Sequence, residues 1–219
     1  MRMIYIIGSG GHSRPVLEVL NEKYSKADKK IYDLNFKKNK KEKILGVKIV
    51  GSFDKYLKSK KKNTYLAIGE NKLRHKIYSI IKKQKIQTPN LISITSTISK
   101  YIKIGEANFI NKKALIGTAV KIGNNNIINS GALIEHEATI GNSNHIAPKS
   151  IIGGRVKIGN NVLIGLGSKI LPGIKICSDV VIGAGAVVTK NINKPQTYIG
   201  IPAKVFKKKA LKSKKKNIK

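Results

Sequence analysis

The chain has 219 residues, of which 44 are Lys or Arg and 11 are Asp or Glu, so its formal net charge is +33. That length allows one large or two modest domains, and an apolar content of 41% is enough for a buried core. No apolar run reaches the roughly 18 residues of a membrane-spanning helix, and the short run before Gly8 does not resemble a secretory signal. The single cysteine, Cys177, excludes an internal disulfide and favours a reducing compartment, so a cytoplasmic protein is expected.

The positive charge allows three interpretations. A lysine-rich surface can bind nucleic acid or membranes, it can attract anionic substrates, or it can be a solvated exterior produced by compositional bias. Arginine occurs at only four positions and aromatic residues make up 5% of the chain, whereas nucleic-acid-binding proteins usually rely on both. Composition therefore favours solvated lysines over a specific nucleic-acid interface.

The N-terminal stretch predicts a strand, a glycine-rich turn and a helix in succession. Residues 4–7 are apolar, residues 8–13 read Gly-Ser-Gly-Gly-His-Ser, and apolar residues then recur at helical spacing. This order begins a Rossmann-like unit, in which backbone amides at the helix N-terminus bind phosphate. Ser13 stands where the dinucleotide fingerprint has its third glycine, so a plain turn without a nucleotide is an equally good interpretation.

The segments that follow complete a small α/β domain with a parallel sheet. Strands are predicted at residues 30–32, 46–50 and 65–69, with 46–50 at the edge of the sheet, and a helix begins at Asn71. Residues 37–43 are lysine-rich and predict a surface loop. Asp33 follows the glycine turn by about 20 residues, the spacing at which an acidic side chain can bond a ribose hydroxyl.

A six-residue repeat organises the chain from Ile98 to Val188. Sixteen aliphatic residues recur at every sixth position, and glycine follows eight of them. A period of six drifts around an α-helix but is typical of a parallel β-helix, in which three hexads close one triangular coil and the coils stack. With about 4.8 Å between stacked strands, five coils predict a prism roughly 25 Å tall.

One hexad places a histidine outside the predicted core. In residues 134–139, Ile134 and Ala138 point inward, so His136 faces outward near a corner of the prism, next to Glu137. A carboxylate can hold an imidazole in one tautomer, and a positioned imidazole is the commonest general base. A solvated side chain and a subunit contact are the alternatives.

A second histidine, His145, lies nine residues further along and also faces outward. Two histidines without a well-placed third ligand make a poor zinc site, so no metal is expected. Cys177 follows an inward isoleucine and is interpreted as inert packing.

The motifs of both parts resemble one family of acyltransferases. The prism carries Asn-Ser-Gly-Ala-Leu-Ile-Glu-His-Glu at 129–137, Ile-Gly-Asn-Ser-Asn-His-Ile-Ala-Pro at 140–148 and Gly-Ile-Pro-Ala-Lys at 200–204. The N-terminal part carries the glycine-rich turn at 8–13 and Ala-Ile-Gly-Glu-Asn-Lys-Leu-Arg at 67–74. The chain thereby resembles the sialic acid O-acetyltransferase (NeuD-type) and UDP-4-amino-sugar N-acetyltransferase (PglD-type) family of hexapeptide-repeat acyltransferases.

The resemblance implies a left-handed β-helix, a homotrimer with active sites between neighbouring prisms, and acetyl-CoA as the donor. The implied acceptor is a UDP-linked amino sugar or a related sugar. The expected domains are a Rossmann-like nucleotide-sugar domain at residues 1–92, the β-helix at 93–206, and a disordered lysine-rich tail at 207–219.

The resemblance also implies roles for individual residues. His136 would be the general base, Glu137 its orienting partner, and His145 a contact of the acetyl group. The residues expected along the pantetheine arm of acetyl-CoA are Gly154, Gly165, Leu166, Gly183, Ala184 and Gly185. The residues expected around the acceptor are Gly10, Gly11, His12, Ser13, Asp33, Gly69 and Asn129.

Two departures from the family pattern concern the nucleotide sugar: the usual Asp pair is Asp33-Leu34 here, and the frequent Gly-Asn-Asn is Gly69-Glu70-Asn71. Amine and hydroxyl acceptors both stay open, because both need the same base. A non-catalytic, lysine-coated binding scaffold is the alternative from another class. An NAD oxidoreductase fits poorly, since the third glycine is missing and the prism would have no role.

Overall fold

The computed structural model describes residues 3–37, 42–58 and 63–207, so the lysine-rich tail after residue 207 and part of the lysine-rich loop lie outside the described residues. The elements of the N-terminal part are β1 (Met3–Ile7), α1 (Ser13–Lys23), β2 (Asp28–Asp33), β3 (Lys43–Ile44), β4 (Val47–Ser52), α2 (Phe53–Leu57), β5 (Thr64–Leu66) and α3 (Asn71–Lys83). The strand order is β3-β4-β2-β1-β5, and every pair except β3–β4 is parallel.

Helices cover both faces of this sheet, which is the Rossmann-like arrangement predicted from the sequence. The apolar stripe of α1 packs on one face together with Ile4 and Ile6, while α2 and α3 pack on the other around Ile7 and Tyr56. Burial on both sides explains why β1 is an almost continuous apolar run.

Two elements differ from the sequence-based expectations. Lys43 is the last residue of the predicted lysine-rich loop, but together with Ile44 it forms β3, which pairs antiparallel with β4. The predicted edge strand therefore lies one position inside the sheet. The short helix α2 was not predicted; its N-terminus is capped by Ser52, whose hydroxyl accepts from the Lys55 amide at 3.3 Å.

The rest of the chain is a stack of short parallel strands. These are β6 (Leu91–Ile92), β7 (Thr97–Ile98), β8 (Lys103–Ile104), β9 (Phe109–Ile110), β10 (Leu115–Ile116), β11 (Lys121–Ile122), β12 (Ile127–Ile128), β13 (Leu133–Ile134), β14 (Thr139–Ile140), β15 (His145–Ile146), β16 (Ile151–Ile152), β17 (Lys157–Ile158), β18 (Leu163–Ile164), β19 (Lys169–Ile170), β20 (Lys175–Ile176), β21 (Val181–Ile182), β22 (Val187–Val188), β23 (Thr197–Ile199) and β24 (Lys204–Val205). Strands 18 residues apart pair in register, which confirms the left-handed β-helix.

The second residue of each hexad strand points into the prism. Ile116 pairs with Ile134 and Ile134 with Ile152, so the isoleucines form continuous columns that make up the main core. Most hexads turn through a residue with positive φ three positions after the inward isoleucine, and Glu137 is one of these, with φ of 59°. Non-glycine residues adopt this region only where their surroundings impose it.

The prism has three faces with different surfaces. The domain-covered face consists of β6, β9, β12, β15, β18, β21, β23 and β24, the apolar face of β7, β10, β13, β16, β19 and β22, and the lysine face of β8, β11, β14, β17 and β20. Phe109 and Ile127 on the first face are buried against α1 and β5 residues of the N-terminal part. The apolar face, by contrast, leaves Leu115 and Ile151 each 39% exposed within the single chain.

The lysine face carries positive charge on its outer surface. Its outward residues are Lys103, Lys121, Thr139, Lys157 and Lys175. All four lysines are exposed. The three outward surfaces are therefore an apolar one that the N-terminal part covers, a mostly apolar one that stays uncovered and also carries the exposed Lys169, and a charged one.

Candidate active site

The glycine-rich turn and the ends of three parallel strands enclose a cavity with a volume of about 360 Å³. It lies at the carboxyl ends of β1, β2 and β5, the edge at which parallel α/β sheets bind ligands. It brings together five of the residues predicted around the acceptor: Gly10, Gly11, His12, Asp33 and Gly69. Of the two others, Ser13 is buried and its hydroxyl donates to the Gly10 carbonyl at 2.7 Å, and Asn129 lies on the prism.

Asp33 uses its carboxylate to hold the glycine-rich turn. Oδ2 accepts from the Ser9 amide at 2.8 Å and from the Ser9 hydroxyl at 2.6 Å, and Oδ1 accepts from the Asn35 amide at 2.8 Å. The carboxylate lines both the cavity and a smaller pocket of about 160 Å³, which Phe36 and Ile49 also line. The ribose contact suggested by the sequence stays a prediction.

His12 lies between the N-terminal part and the prism. Its ring packs edge-to-face on Phe109, with ring centroids 5.3 Å apart, and 6.2 Å from the ring of His145. Burial, the neighbouring His145 and then Arg74 lower the pKa of His12 to about 3. Its Nε2 is buried and has no partner among the residues that the structure describes. His12 is therefore a neutral ring at the inner wall of the cavity.

His145 is hydrogen-bonded to the prism through Nε2. Asn129 donates from Nδ2 to this nitrogen at 3.1 Å. Burial and then Arg74 lower the pKa of His145 to about 4, although the Gly69 backbone opposes this shift. A second cavity of about 420 Å³ is lined by His145 and shares Gly69 and Glu70 with the first, so the two adjoin.

His136 lies at the histidine corner, where the apolar face meets the lysine face; this corner stacks Thr118, His136, Gly154 and Pro172. The positive-φ turn brings Glu137 back so that Nδ1 of His136 donates to its carboxylate at 2.9 Å. The opposite nitrogen, Nε2, is then left with its lone pair and faces Gly154, where an added Cβ would lie only 2.6 Å away. The His136 side chain is 48% exposed.

The amide of Gly154 is free beside this ring. Among the described residues, no backbone or side-chain acceptor takes its N–H. At the next corner of the prism the corresponding amides of Asn124 and Asn142 are both used, since they donate to asparagine side chains of the following coil. The histidine corner thus combines an imidazole lone pair with an unused backbone donor.

The other residues expected along the donor lie at the glycine corner, where the domain-covered face meets the apolar face; it includes Asn129, Gly165, Leu166, Gly183, Ala184 and Gly185. Backbone packs tightly here, since a Cβ on Gly165 would be 2.6 Å from the Ala184 amide nitrogen. Leu166 is 60% exposed and Ala184 is exposed beside it. The corner is a strip of bare backbone with one apolar side chain at its rim.

The whole width of the apolar face separates the two corners within one chain. His136, Glu137 and Gly154 are on one side of it, whereas His145, Asn129 and the glycine corner are on the other. Sequence reasoning gave no role to Arg74, which is buried between the two parts of the chain. Two features of the sequence could have pointed to Arg74: it is one of only four arginines among 44 basic residues, and it is the last residue of the motif at 67–74.

No group of three or more His, Cys, Asp or Glu side chains is arranged to hold a metal ion in residues 3–37, 42–58 and 63–207. In the same ranges, none of the helices has the length and apolar character needed to cross a bilayer.

Comparisons with known proteins agree with both parts of the architecture. Residues 3–81 match the family described as PglD N-terminal domain, and residues 155–190 match the hexapeptide repeat of succinyl-transferase. No curated protein matches the chain significantly.

Solved structures match nearly the full length. A histidine-to-alanine variant of GDP-perosamine N-acetyl transferase from Caulobacter crescentus, in complex with CoA and GDP-perosamine, is 28% identical, with coverage of 95% of this chain and 98% of that one and a TM-score of 0.87. The acetyltransferase domain of PglB from Neisseria gonorrhoeae FA1090, in complex with acetyl coenzyme A, is 26% identical, with coverage of 94% and 99% and a TM-score of 0.83. WeeI from Acinetobacter baumannii AYE, 23% identical over 93% and 100% with a TM-score of 0.84, supports the fold alone.

The N-terminal sheet matches the PglD N-terminal domain, and the prism matches a hexapeptide repeat. The same solved acetyltransferases cover both of these parts of the chain. The chain thus carries a PglD N-terminal domain and hexapeptide repeats, and it is an acyltransferase, as its motifs predicted.

Proposed function

We propose that this protein transfers the acetyl group of acetyl-CoA to the amine of a nucleotide-linked amino sugar. The observation that carries the proposal is the histidine corner, where Glu137 binds Nδ1 of His136 and leaves Nε2 free beside the Gly154 amide. The two relatives at 28% and 26% identity support the substrates, because one was solved with CoA and GDP-perosamine and the other with acetyl coenzyme A.

The chemistry begins with a proton transfer. A sugar amine is largely protonated near neutral pH, and it first loses one proton to solvent, because only its neutral form has the lone pair that attacks the thioester. Nε2 of His136 takes a proton from the nitrogen as the new C–N bond forms and the carbonyl oxygen becomes negative. The C–S bond then breaks, and the imidazolium returns the proton to the leaving thiolate, so that CoA leaves as a thiol.

The negative oxygen needs a donor that is already in place. The Gly154 N–H is unused among the described residues and lies in the coil next to His136. General-base help typically contributes about 10²- to 10⁴-fold, and one oxyanion donor about 10²- to 10³-fold. The imidazole of His136 and the N–H of Gly154 would therefore make the main chemical contributions to the rate. Binding of both substrates in one site would add to the rate by holding the reacting atoms close together.

The acceptor would occupy the two adjoining cavities. The amides at the start of α1 carry the partial positive charge that suits a diphosphate, and Gly10 and Gly11 have open space in place of side chains. The nucleotide would lie in the cavity at the sheet edge, and the sugar would extend past Gly69 toward His145. The high lysine content favours the approach of such an anionic substrate.

A complete site requires a second copy of the chain. His136 and the glycine corner are separated by the apolar face, so neither side alone holds base, donor arm and acceptor. Leu115 and Ile151 on that face are exposed in the single chain, and a homotrimer that packs the three apolar faces around its axis would cover them. Each histidine corner would then meet the glycine corner of a neighbouring copy.

The experiment is an acetyl-CoA thiol-release assay with products identified by mass spectrometry. UDP- and GDP-linked 4-amino sugars, free amino sugars and sialic acid serve as acceptors, and a polyanion binding assay at increasing salt runs in parallel. The proposal expects rapid acetylation of at least one nucleotide-linked amine. Acetylation of hydroxyl acceptors only would replace it with O-acetyl transfer. Absence of transfer together with salt-sensitive polyanion binding would favour the non-catalytic scaffold.

A further inference from the structure

Arg74 of α3 is buried between the N-terminal part and the prism, where it is 2% exposed. On the N-terminal side, Nη1 donates to the carbonyls of Ile68 at 3.2 Å and Gly69 at 3.0 Å. On the prism side, three backbone carbonyls accept from the guanidinium: those of Asn125 at 3.1 Å, Ser143 at 3.0 Å and Asn144 at 3.0 Å. One side chain therefore binds the backbone of both parts of the chain.

These contacts require the planar fork of an arginine. All three guanidinium nitrogens are used, since Nη2 also donates to the Asn71 side chain at 2.9 Å, whereas a lysine has a single nitrogen that cannot point in both directions. Among the described residues, no carboxylate forms an ion pair with Arg74. Burial lowers the pKa of Arg74 to about 9, while Glu70 opposes the shift. The guanidinium is therefore charged at neutral pH, and hydrogen bonds from a charged donor are the stronger kind.

On the N-terminal side, Arg74 binds the wall between the two cavities of the candidate site. Gly69 and Glu70 line both the cavity at the sheet edge and the cavity beside His145, and we call these two residues the shared wall. On the prism side, Asn144 directly precedes His145, which lines the second cavity. Arg74 therefore connects the shared wall to the strand of the prism that borders the second cavity.

Other bonds between the two parts of the chain lie away from the shared wall. Further along α3, the Tyr78 hydroxyl and the Lys82 ammonium both bind the Glu106 carboxylate, at 2.9 Å and 2.6 Å. Glu106 is not among the described residues that line either cavity. Tyr78 is therefore a matched control for Arg74, because it joins the same helix to the same prism without holding the shared wall.

We propose that Arg74 is a positioning residue for acetyl transfer: by binding the Gly69 carbonyl and three prism carbonyls at once, it fixes the shared wall against the prism, so that the sugar passes from the nucleotide cavity to the prism in one position. The inference rests on the proposed function, in which the nucleotide occupies the first cavity and the sugar extends past Gly69. Arg74 itself lines neither cavity, so it acts on turnover through the shared wall. Binding of the nucleotide depends on the glycine-rich turn and does not require it.

The test compares the full-length wild type with three variants. Arg74→Lys keeps the charge but cannot reach both sets of carbonyls, and Tyr78→Phe is the control. Asn71→Ala removes the bond from Arg74 and the bond that Asn71 donates to the Val162 carbonyl at 3.0 Å. Calorimetry with UDP and GDP measures the nucleotide affinity and counts the binding sites. Kinetics with a nucleotide-linked amine then give kcat per binding site and KM for acetyl-CoA.

In Arg74→Lys, kcat per site should fall about tenfold, because the amine is no longer held in line with the thioester. The nucleotide affinity and KM for acetyl-CoA should stay within about twofold of the wild type, since neither depends on the position of the shared wall. Tyr78→Phe should keep the wild-type kcat, and Asn71→Ala should lose about threefold. A merely structural role of Arg74 would instead reduce the number of nucleotide-binding sites and leave kcat per site unchanged.

The proposal is overturned if a folded Arg74→Lys variant keeps the wild-type kcat per site, if Tyr78→Phe loses as much, or if the whole loss appears as weaker nucleotide binding. If Arg74→Lys does not fold, Asn71→Ala decides, and an unchanged kcat in that variant overturns the proposal.

Amide hydrogen exchange separates this inference from the proposed function. Arg74→Lys should raise exchange in residues 67–76 and in residues 141–146, the two segments that the guanidinium joins, whereas Tyr78→Phe should raise it in neither. If the wild type acetylates no amine, the proposed function fails and exchange alone decides whether Arg74 fixes the shared wall. Unchanged exchange in both segments of Arg74→Lys, or of Asn71→Ala in its place, would show that it does not.

Discussion

An added Cβ on Gly154 would lie 2.6 Å from Nε2 of His136, so the imidazole of one coil rests directly against the bare backbone of the next. Glu137 holds the opposite ring nitrogen at 2.9 Å. The ring is thus fixed by a carboxylate on one side and by the absence of a side chain on the other. This places Nε2, the nitrogen of the His136 ring that Glu137 leaves free, next to an unused backbone N–H.

Gly154→Ala should displace the His136 ring without unfolding the protein, because the clashing atoms belong to an exposed side chain that can rotate away. We expect kcat to fall at least about tenfold, since a shift of the base by an ångström is costly, while the melting temperature changes little. Steady-state kinetics and thermal unfolding measure both. Thr118→Ala, at the equivalent position two coils before Gly154 and one before His136, is the control, and equal losses in the two variants would contradict this account.

The apolar face should form the interface between copies. Ile151→Lys places a charge at its centre, where a trimer would bury it, so we expect dissociation to monomers and loss of activity. Sedimentation velocity measures the assembly. Lys157→Gln alters the equivalent outward position of the lysine face and should leave the assembly intact. A trimeric, active Ile151→Lys protein would show that this face lies outside the interface.

The same geometry predicts complementation between two inactive variants. His136→Asn removes the base, and Ala184→Trp should block the donor arm at the opposite corner, where residue 184 is exposed. If each site takes one corner from each of two neighbours, co-expressed mixed trimers contain sites with both corners intact, about a quarter of all sites for random mixing. Activity of the purified mixture, compared with each variant alone, gives the answer. A mixture as inactive as its components would indicate that one chain supplies both corners.

Acid should destabilise the protein through His12 and His145. An unfolded histidine takes up a proton as the pH falls below 6.5, whereas the buried rings stay neutral until about pH 3 and 4. The unfolded state therefore binds more protons in this window, and stability falls with acidification by about 1.4 kcal/mol per pH unit for each histidine. Urea unfolding between pH 4.5 and 7 measures the slope. His12→Gln should roughly halve it, and an unchanged slope would contradict the assignment.

The repeat could be predicted from the sequence because each hexad folds into the same local structure. One inward isoleucine and one turn recur every six residues, so the architecture of the prism follows from a single unit. The outward position of His136 followed from the same rule. The helix α1 was predictable for a similar reason, since its apolar stripe has helical spacing.

Features that depend on contacts between distant segments could not be predicted in this way. The pairing of Lys43–Ile44 with β4 is set by the sheet beside it and not by its own composition. The spacing of Asp33 from the glycine-rich turn suggested a ribose contact, but it gave no sign of the two hydrogen bonds that the carboxylate accepts from Ser9. The burial of Arg74 could not be predicted either, because it depends on prism carbonyls that lie about 70 residues away in the sequence. The expected roles of the individual site residues and the domain boundaries stay predictions.

The most direct test of the central claim compares acetyl transfer by the wild type and His136→Asn, with both substrates titrated calorimetrically into each protein. In the C. crescentus relative, variants with a histidine replaced by alanine or asparagine were solved with CoA and GDP-perosamine present. For this chain we predict that His136→Asn binds acetyl-CoA and the nucleotide amino sugar normally while turnover falls about a hundredfold or more. Turnover within a few-fold of the wild type would contradict the account.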